Sequence, residues 1–259
     1  MTTLPELPEQ PSSRRLVDTH CHLADYSDPI AVLDAAQNAH VAIVAVTEDP
    51  DQYRRLKLRL GSRPTVEVAL GLHPLRAGSV RPSDIARFLR MVPGAGWIGE
   101  VGLDFSPVGI ATRKQQLRIF DMVLTEAQPG RHPLTVHSRG AAQEVIRRLD
   151  DAKVPAVLHW YSGRLGLVDD ALAAGLYFSI NPAMVRSKRW TALIGVLPPD
   201  RVLLETDGPY AATRSRPAQP DDLHHVVSAL ALAWQQSSAT VTTQLIENLR
   251  TFLNSVSTQ

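Results

Sequence analysis

The 259-residue sequence has a single cysteine, Cys21, and no apolar run long enough to cross a bilayer. One cysteine excludes an internal disulfide framework and suits a reducing compartment, so we expect a cytoplasmic protein without membrane contact. The first residues, MTTLPELPEQPSS, lack the basic and then apolar pattern of a signal peptide, and residues 1–14 are predicted to form a flexible leader. The net charge of +1 gives no indication of nucleic-acid binding.

Short β-branched runs alternate along the chain with amphipathic stretches of helical periodicity. The eight predicted strands cover residues 15–20, 41–46, 65–72, 97–103, 133–137, 155–160, 176–180 and 201–206. Eight strands alternating with helices predict an α/β fold, a (β/α)8 TIM barrel, in a single domain from residue 15 to residue 259. An open doubly wound sheet is the alternative, but no GxGxxG motif follows the first strand to support it.

Polar residues that could bind a metal occur at the carboxyl ends of these strands, where TIM barrels carry their active sites. They are His20 and His22 on the first strand, His73 after the third, Glu100 on the fourth, His137 on the fifth, His159 on the sixth and Asp207 after the eighth. Side chains alternate along a strand, so His20 and His22 point the same way and Cys21 points the other way. A lone histidine is more often an ordinary core or surface residue, but this repeated placement predicts a metal site.

The type and number of these residues indicate which metals the site would take. Imidazoles with carboxylates suit zinc, manganese or iron, whereas magnesium prefers mostly oxygen ligands. One catalytic zinc takes about three protein ligands, and more candidates than that are present, so we expect two divalent ions (Mg, Mn or Zn). Glu100 is placed to bridge them. A catalytic thiol is the weaker alternative, because Cys21 would face away from both neighbouring histidines.

The other histidines and two arginines have more ordinary interpretations. The histidines expected in solvent or at helix caps are His40, His132, His224 and His225. Arg139 and Arg164 lie near strand ends, where a guanidinium suits either a phosphate contact or a solvated surface position.

The motifs DTHCHL, GLHP, GEVGLD, HSR, HWYSG and ETDGPY, in this order and spacing, resemble those of the TatD family of metal-dependent deoxyribonucleases. That family belongs to the amidohydrolase-like TIM barrels. The resemblance runs from about Val17 to the C-terminal helix. It implies a hydrolase that cleaves phosphodiester bonds in DNA, with single strands or 3′ ends as substrate, through a water activated by two divalent metal ions.

The resemblance also implies a role for each motif residue. The implied metal ligands are His20, His22 and Asp207 for one ion, His137 and His159 for the other, and Glu100 as the bridge between them. The implied catalytic residues are Asp207, which would take a proton from the attacking water, Glu100, and His73, which would lie near the scissile phosphate. The expected substrate contacts are His73, Arg139, Trp160 and Tyr161. Asp104 is expected to orient the site rather than to bind a metal.

Three loops depart from the commonest family pattern and leave the polymer type and its polarity open. Trp160-Tyr161 replaces a cysteine and a phenylalanine, Asn181-Pro182 replaces a glycine, and an Arg-Asn-Glu-Pro stretch is missing after the last motif. The stretches HWYSG, YFSINPAM and LLETDGPY are similar to the TatD-like nuclease subunit of the Qat anti-phage defence system, which implies other defence-system proteins as partners. The two aromatic rings suit either stacking on bases or packing under the seventh-strand loop.

Two alternatives remain open. One is another hydrolase on the same barrel, such as a lactonase, an amidase, a phosphotriesterase or a deacylase of aminoacyl-tRNA. Many such relatives bridge their metals with a carboxylated lysine on the fourth strand, but Glu100 takes that place here and no lysine lies at a predicted strand end. The other alternative is a metal-stabilised subunit without turnover. The retention of His73 and Asp207 disfavours it, because a binding protein could lose either residue at little cost.

Overall fold

The computed structural model describes residues 15–127 and 132–257, and the predicted leader over residues 1–14 lies outside them. Eight strands form at the eight predicted places. They are β1 (Leu16–Cys21), β2 (Val41–Ala45), β3 (Val66–Val68), β4 (Ile98–Gly102), β5 (Leu134–His137), β6 (Ala156–Leu158), β7 (Tyr177–Ile180) and β8 (Val202–Leu204). β3 is much shorter than the predicted 65–72, and Leu70 beyond it makes only an isolated parallel bridge to Ile98.

The strands pair in parallel and in chain order, and they close into a barrel. β1 to β3 form one hydrogen-bonded sheet and β4 to β8 form another. The bridge between Leu70 and Ile98 joins the two sheets at one seam. At the other seam the backbone N–H of Asp207 donates to the carbonyl of His20 at 2.8 Å, which brings the end of β8 against β1. The predicted (β/α)8 TIM barrel is therefore confirmed.

Helices follow the strands and cover the outside of the barrel. They are α1 (Pro29–Asn38), α2 (Pro50–Leu60), α3 (Pro82–Met91), α4 (Arg113–Glu126), α5 (Ala142–Ala152), α6 (Val168–Ala173), α7 (Pro182–Val185), α8 (Trp190–Ile194), α9 (Leu223–Trp234) and α10 (Ser238–Ser257). The first two begin at Asp-Pro pairs, because the carboxylates of Asp28 and Asp49 accept N–H groups of the first turn and proline supplies the helical φ. Within the described residues no helix has the length and apolar character needed to cross a membrane.

The inside of the barrel is apolar near the amino ends of the strands. Strand residues such as Val44, Val157 and Leu203 pack in one cluster with side chains of α10. The Phe252 ring of this helix lies 5.7 Å from the ring of Trp97, which directly precedes β4. α10 therefore closes the amino-terminal end of the barrel, and the opposite end is left for polar side chains.

Candidate metal centre

The end of β1 places two histidines in the mouth of the barrel. The pairing of β1 with β2 shifts its register between Asp18 and Cys21, and the buried Asp18 carboxylate accepts the backbone N–H groups of His20 and Thr206. His20 and His22 are almost completely buried, while Cys21 packs among apolar side chains between the strands and the helices. The two histidines therefore share a direction that the cysteine does not, as strand alternation predicts.

A first ligand group forms where β1 and β8 end. The Nε2 atoms of His20 and His22 lie 3.4 Å apart. Oδ1 of Asp207 lies 3.6 Å from Nε2 of His20 and 3.4 Å from Nε2 of His22. Three atoms of the kinds that bind zinc or manganese thus converge on one point.

A second ligand group collects side chains from the ends of β5 and β6, and His73, beyond β3, lies beside it. Around Oε1 of Glu100 lie His137 Nδ1 at 2.6 Å, His159 Nε2 at 2.8 Å and His73 Nε2 at 3.4 Å. His73, expected near the scissile phosphate, thus lies beside the predicted ligands. Its Nδ1 accepts the N–H of Leu75, which holds the ring in this direction.

Glu100 on β4 stands between the two groups. Its Oε2 lies 3.5 Å from Nε2 of His20 and 3.1 Å from Nε2 of His22, while its Oε1 faces the second group. The rings of His20 and His159 stack with centroids 3.8 Å apart, so the two groups adjoin. A carboxylate with one oxygen toward each group has the geometry that a bridge between two metal ions requires.

The electrostatics of the pocket favour positive charge. Burial by itself would raise the pKa of Glu100, but the histidines around it, first among them His73, hold that pKa well below its usual range. Burial would lower the pKa of His22, yet Asp207 and Glu100 raise it to about 10. The carboxylates thus stay ionised and attract cationic charge into a buried site, which fits a pair of divalent ions.

Two of the candidate ligand histidines turn an outer ring nitrogen toward an oxygen atom. His20 Nδ1 lies 2.6 Å from the Thr135 hydroxyl oxygen, and His137 Nε2 lies 2.9 Å from Oδ2 of Asp104. Although burial opposes it, the hydrogen bond from His137 lowers the pKa of Asp104 to about 2, so this carboxylate is ionised. Such outer contacts fix the ring so that the inner nitrogen can bind a metal. This geometry supports the orienting role expected for Asp104.

Sequence reasoning missed Glu205, which is fully buried beneath the second group. Its carboxylate accepts hydrogen bonds from the Asn181 amide at 2.9 Å, the Trp160 backbone N–H at 3.0 Å and the Ser179 hydroxyl. Its Oε2 lies 3.7 Å from the outer nitrogen of His159. Glu205 therefore connects the loops after β6 and β7 to a ligand histidine. It directly follows β8, so alternation continued from Leu203 is a signal that could have identified it.

Tyr210 is a second residue without a sequence-based assignment. It is 57% exposed and lines the cleft above the first ligand group. Its ring meets the ring of His22 edge-on with centroids 4.8 Å apart, and its hydroxyl donates to Oδ2 of Asp25 at 3.1 Å. The only sign of Tyr210 in the sequence is its place in the motif ETDGPY.

An open cleft of about 530 Å³ leads to both ligand groups. Three of the predicted substrate contacts line it: His73, Arg139 and Trp160. Trp160 has a φ of +36°, a conformation that bulky residues rarely adopt, and Glu205 holds its backbone N–H. This backbone conformation and the bond to Glu205 together fix where the loop carries the Trp160 side chain.

The prediction that Tyr161 contacts substrate is wrong. Only 2% of the residue is exposed, and its ring packs edge-on against Phe178 with centroids 5.2 Å apart. Its hydroxyl donates to the carbonyl of Arg164 at 2.7 Å. A ring buried in this way has no face to offer to a base. Of the two interpretations of the aromatic pair, packing applies to Tyr161 and stacking remains open to Trp160.

One of the four remaining histidines departs from expectation. His40, His224 and His225 are exposed, as the sequence indicates. His132 was expected in solvent or at a cap, but it is buried, and its Nε2 lies 2.9 Å from the carbonyl oxygen of Val92 just after α3. This contact indicates a structural role for His132, because it joins the residues just before β5 to the end of α3.

A TIM barrel that holds histidines and carboxylates in two adjoining groups at its carboxyl end defines a metal-dependent hydrolase of the amidohydrolase-like class. A family profile described as "TatD related DNase" matches residues 17–254. The chain belongs to this TatD family, as its motifs predict.

Individual relatives agree with this assignment. "Deoxyribonuclease TATDN3" of Homo sapiens is 34% identical over 218 residues, which cover 75% of this chain and 78% of the relative. "3'-5' ssDNA/RNA exonuclease TatD" of Musicola paradisiaca (strain Ech703) is 31% identical over 239 residues, covering 86% of this chain and 90% of the relative. The crystal structure of YJJV, a TatD homolog from Escherichia coli K12, superposes with a TM-score of 0.83 over 93% of this chain and 98% of that one. Its 23% identity shows likeness of fold alone.

Proposed function

We propose that the protein hydrolyses phosphodiester bonds of DNA from the 3′ end of a single strand, with two divalent ions held by the two ligand groups. The observation that carries the proposal is the position of Glu100, whose two oxygens face different ligand groups. Its Oε2 lies 3.1 Å from Nε2 of His22, and its Oε1 lies 2.6 Å from Nδ1 of His137. The names of the relatives support the choice of substrate, since one is a deoxyribonuclease and another a 3'-5' ssDNA/RNA exonuclease.

The protein's own residues divide the work of the reaction. Divalent ions bound here would lower the pKa of water and neutralise charge on the phosphate oxygens. Burial would raise the pKa of Asp207, but the hydrogen bond from His22 lowers it below its usual value. The carboxylate of Asp207 is therefore ionised and accepts the proton of the attacking water. The bond from phosphorus to the leaving sugar oxygen breaks, and that oxygen takes a proton from solvent. His73, at the edge of the cleft, donates a hydrogen bond to the phosphate.

Trp160 serves as a stacking surface for a base next to the scissile bond. Trp160→Ala is expected to raise KM for a single-stranded oligonucleotide about tenfold and to change kcat less than KM, because losing one base–aromatic stack costs about 1–3 kcal/mol. Steady-state rates on DNA measure both constants. Trp160→Phe keeps a ring in the same place and should recover most of the loss. An Ala variant whose KM equals that of wild type would exclude stacking.

The proposed activity is tested with single-stranded DNA labelled at either end. Metal-stripped protein receives Mg, Mn or Zn in turn, and Glu100→Ala runs beside it as the control for contaminating nuclease. The expected result is metal-dependent shortening from the 3′ end that the variant does not show. If wild type binds each metal and still leaves both labels intact, the proposal fails. Turnover of small phosphoesters or amides would then identify another hydrolase, and no turnover at all would indicate a non-catalytic subunit.

We propose further that this activity serves anti-phage defence in the cytoplasm, together with other defence-system proteins. The support is the set of stretches HWYSG, YFSINPAM and LLETDGPY, whose residues Trp160, Ser179 and Asn181 all donate hydrogen bonds to Glu205. The test is phage plating on bacteria that carry the protein together with the other proteins of a Qat defence system. Fewer plaques than with Glu100→Ala are expected, and equal numbers would exclude the role.

A further inference from the structure

The segment Trp160–Arg164, which follows β6, lies among three guanidinium groups, one of them its own. Arg139 lies after β5, Arg164 ends the segment, and Arg189 lies between α7 and α8. All three side chains are exposed. Within residues 15–127 and 132–257, none of them forms an ion pair with a carboxylate, whereas arginines such as Arg76 and Arg148 do. The segment therefore carries positive charge that no ion pair among the described residues neutralises.

Two hydrogen bonds hold the Arg189 guanidinium against the segment, and Arg139 and Arg164 lie close to it. The Arg189 guanidinium donates to the carbonyl of Ser162 at 3.0 Å and to that of Gly163 at 2.6 Å, which are neutral acceptors that leave its charge intact. Burial raises the pKa of Tyr161 to about 12, and the nearby guanidiniums of Arg189 and Arg164 oppose that rise. Arg139 lines the same cleft as Ser162.

The opposite wall of the cleft carries carboxylates. Glu48, which follows β2, lines the cleft and pairs with Arg76. Arg76 also pairs with Asp49, so a single guanidinium faces two carboxylates there. Asp25 after β1 accepts the hydroxyl of Tyr210. Arg139 and Glu48 line the cleft itself and the other charged residues flank them. The mouth therefore has a cationic wall after β5 to β7 and an anionic wall after β1 and β2.

We propose that Trp160–Arg164 with Arg139 and Arg189, here called the β6 platform, binds the sugar-phosphate backbone of the strand beyond the scissile bond. The strand then leaves the metal centre over the β6 platform and away from the anionic wall. Guanidinium groups bind phosphate oxygens through paired hydrogen bonds, and single-strand sites combine such contacts with an aromatic stack, here Trp160. This inference rests on the proposed nuclease function and specifies the path of its substrate.

Binding measured against salt concentration tests the β6 platform directly. A fluorescent single strand of about ten nucleotides, with phosphorothioate linkages to resist hydrolysis, is titrated by fluorescence anisotropy between about 50 and 200 mM salt. Arg139→Gln/Arg164→Gln is the chosen variant, because neither guanidinium makes a hydrogen bond within the part of the chain that the structure describes. The slope of log affinity against log salt is negative, and its magnitude should become smaller by about 1.4. This is about 0.7 for each phosphate that the variant no longer neutralises. Kd at low salt should rise about tenfold.

The matched control is Arg54→Gln/Arg118→Gln, which removes the same charge from exposed positions on α2 and α4. It should keep the wild-type slope. An unchanged slope in Arg139→Gln/Arg164→Gln, an equal decrease in the control, or a wild type that does not bind the strand would each overturn the β6 platform.

Cleavage by the wild-type protein separates this inference from the proposed function. If wild type degrades unmodified DNA but the slopes of the two double variants do not differ, only the β6 platform fails. If wild type binds the strand with the expected slopes in all three proteins but cleaves no DNA, the nuclease function fails and the binding surface stands.

Discussion

Replacement of Glu100 by glutamine is expected to reduce kcat for phosphodiester hydrolysis about a thousandfold or more. Glutamine matches glutamate in size, but its amide nitrogen cannot bind a cation. One ligand group therefore loses the carboxylate oxygen that faces it. The change also removes the negative charge that contributes to the raised pKa values of His22 and His137. Because both groups depend on this one residue, its loss should cost more than the loss of a ligand that serves one group.

Single-turnover rates at saturating metal measure the effect of Glu100→Gln. The matched control is Glu67→Gln on the neighbouring strand β3, since Glu67 is half-buried but does not line the cleft. The control should cleave at the wild-type rate, and circular dichroism should show that both variants are folded. A Glu100→Gln protein that kept more than about a tenth of the wild-type rate would contradict the bridging role.

The sequence is sufficient to locate the predicted metal ligands because barrel geometry leaves their side chains few places to go. Parallel strands bring their carboxyl ends to one mouth, so His20 and His159 can stack although 139 positions separate them in the chain. Alternation decides the direction of each side chain near a strand end, which separates His20 from Cys21. Both arguments are local, and the closed barrel makes them sufficient.

The loops follow no such rule, and the contrast between Trp160 and Tyr161 shows why. The two aromatic residues are adjacent, and their order in the chain does not say which one faces the cleft. The backbone of Trp160 has a left-handed φ, and its N–H donates to the carboxylate of Glu205, which is 45 positions away. Tyr161, the next residue, packs into the core against Phe178. A conformation that depends on a distant buried carboxylate cannot be inferred from the loop itself.

Removal of the metal ions is expected to abolish hydrolysis and to lower the melting temperature by at least about 5 °C. Ions that bind only the folded state stabilise it by about 2.7 kcal/mol at a free concentration of about 100 times Kd. In a domain of this size, about 1 kcal/mol corresponds to about 2–4 °C. Calorimetry and DNA cleavage before chelation, after it and after restoration of each metal measure both effects. An active protein with an unchanged melting temperature after verified metal removal would exclude the metal centre.

The number of ions that restores activity distinguishes one site from two. We expect the wild type to reach full activity at about two equivalents of metal. Elemental analysis should find about one ion in His22→Ala and about one in His137→Ala, because each substitution removes a ligand from a different group. Saturation of the wild type at about one equivalent would mean that both groups serve a single ion. The distances alone permit that result, because Glu100 lies within hydrogen-bonding range of nitrogens on both sides. Stoichiometry in the two variants therefore decides between the models, since a single shared site would be weakened by either substitution.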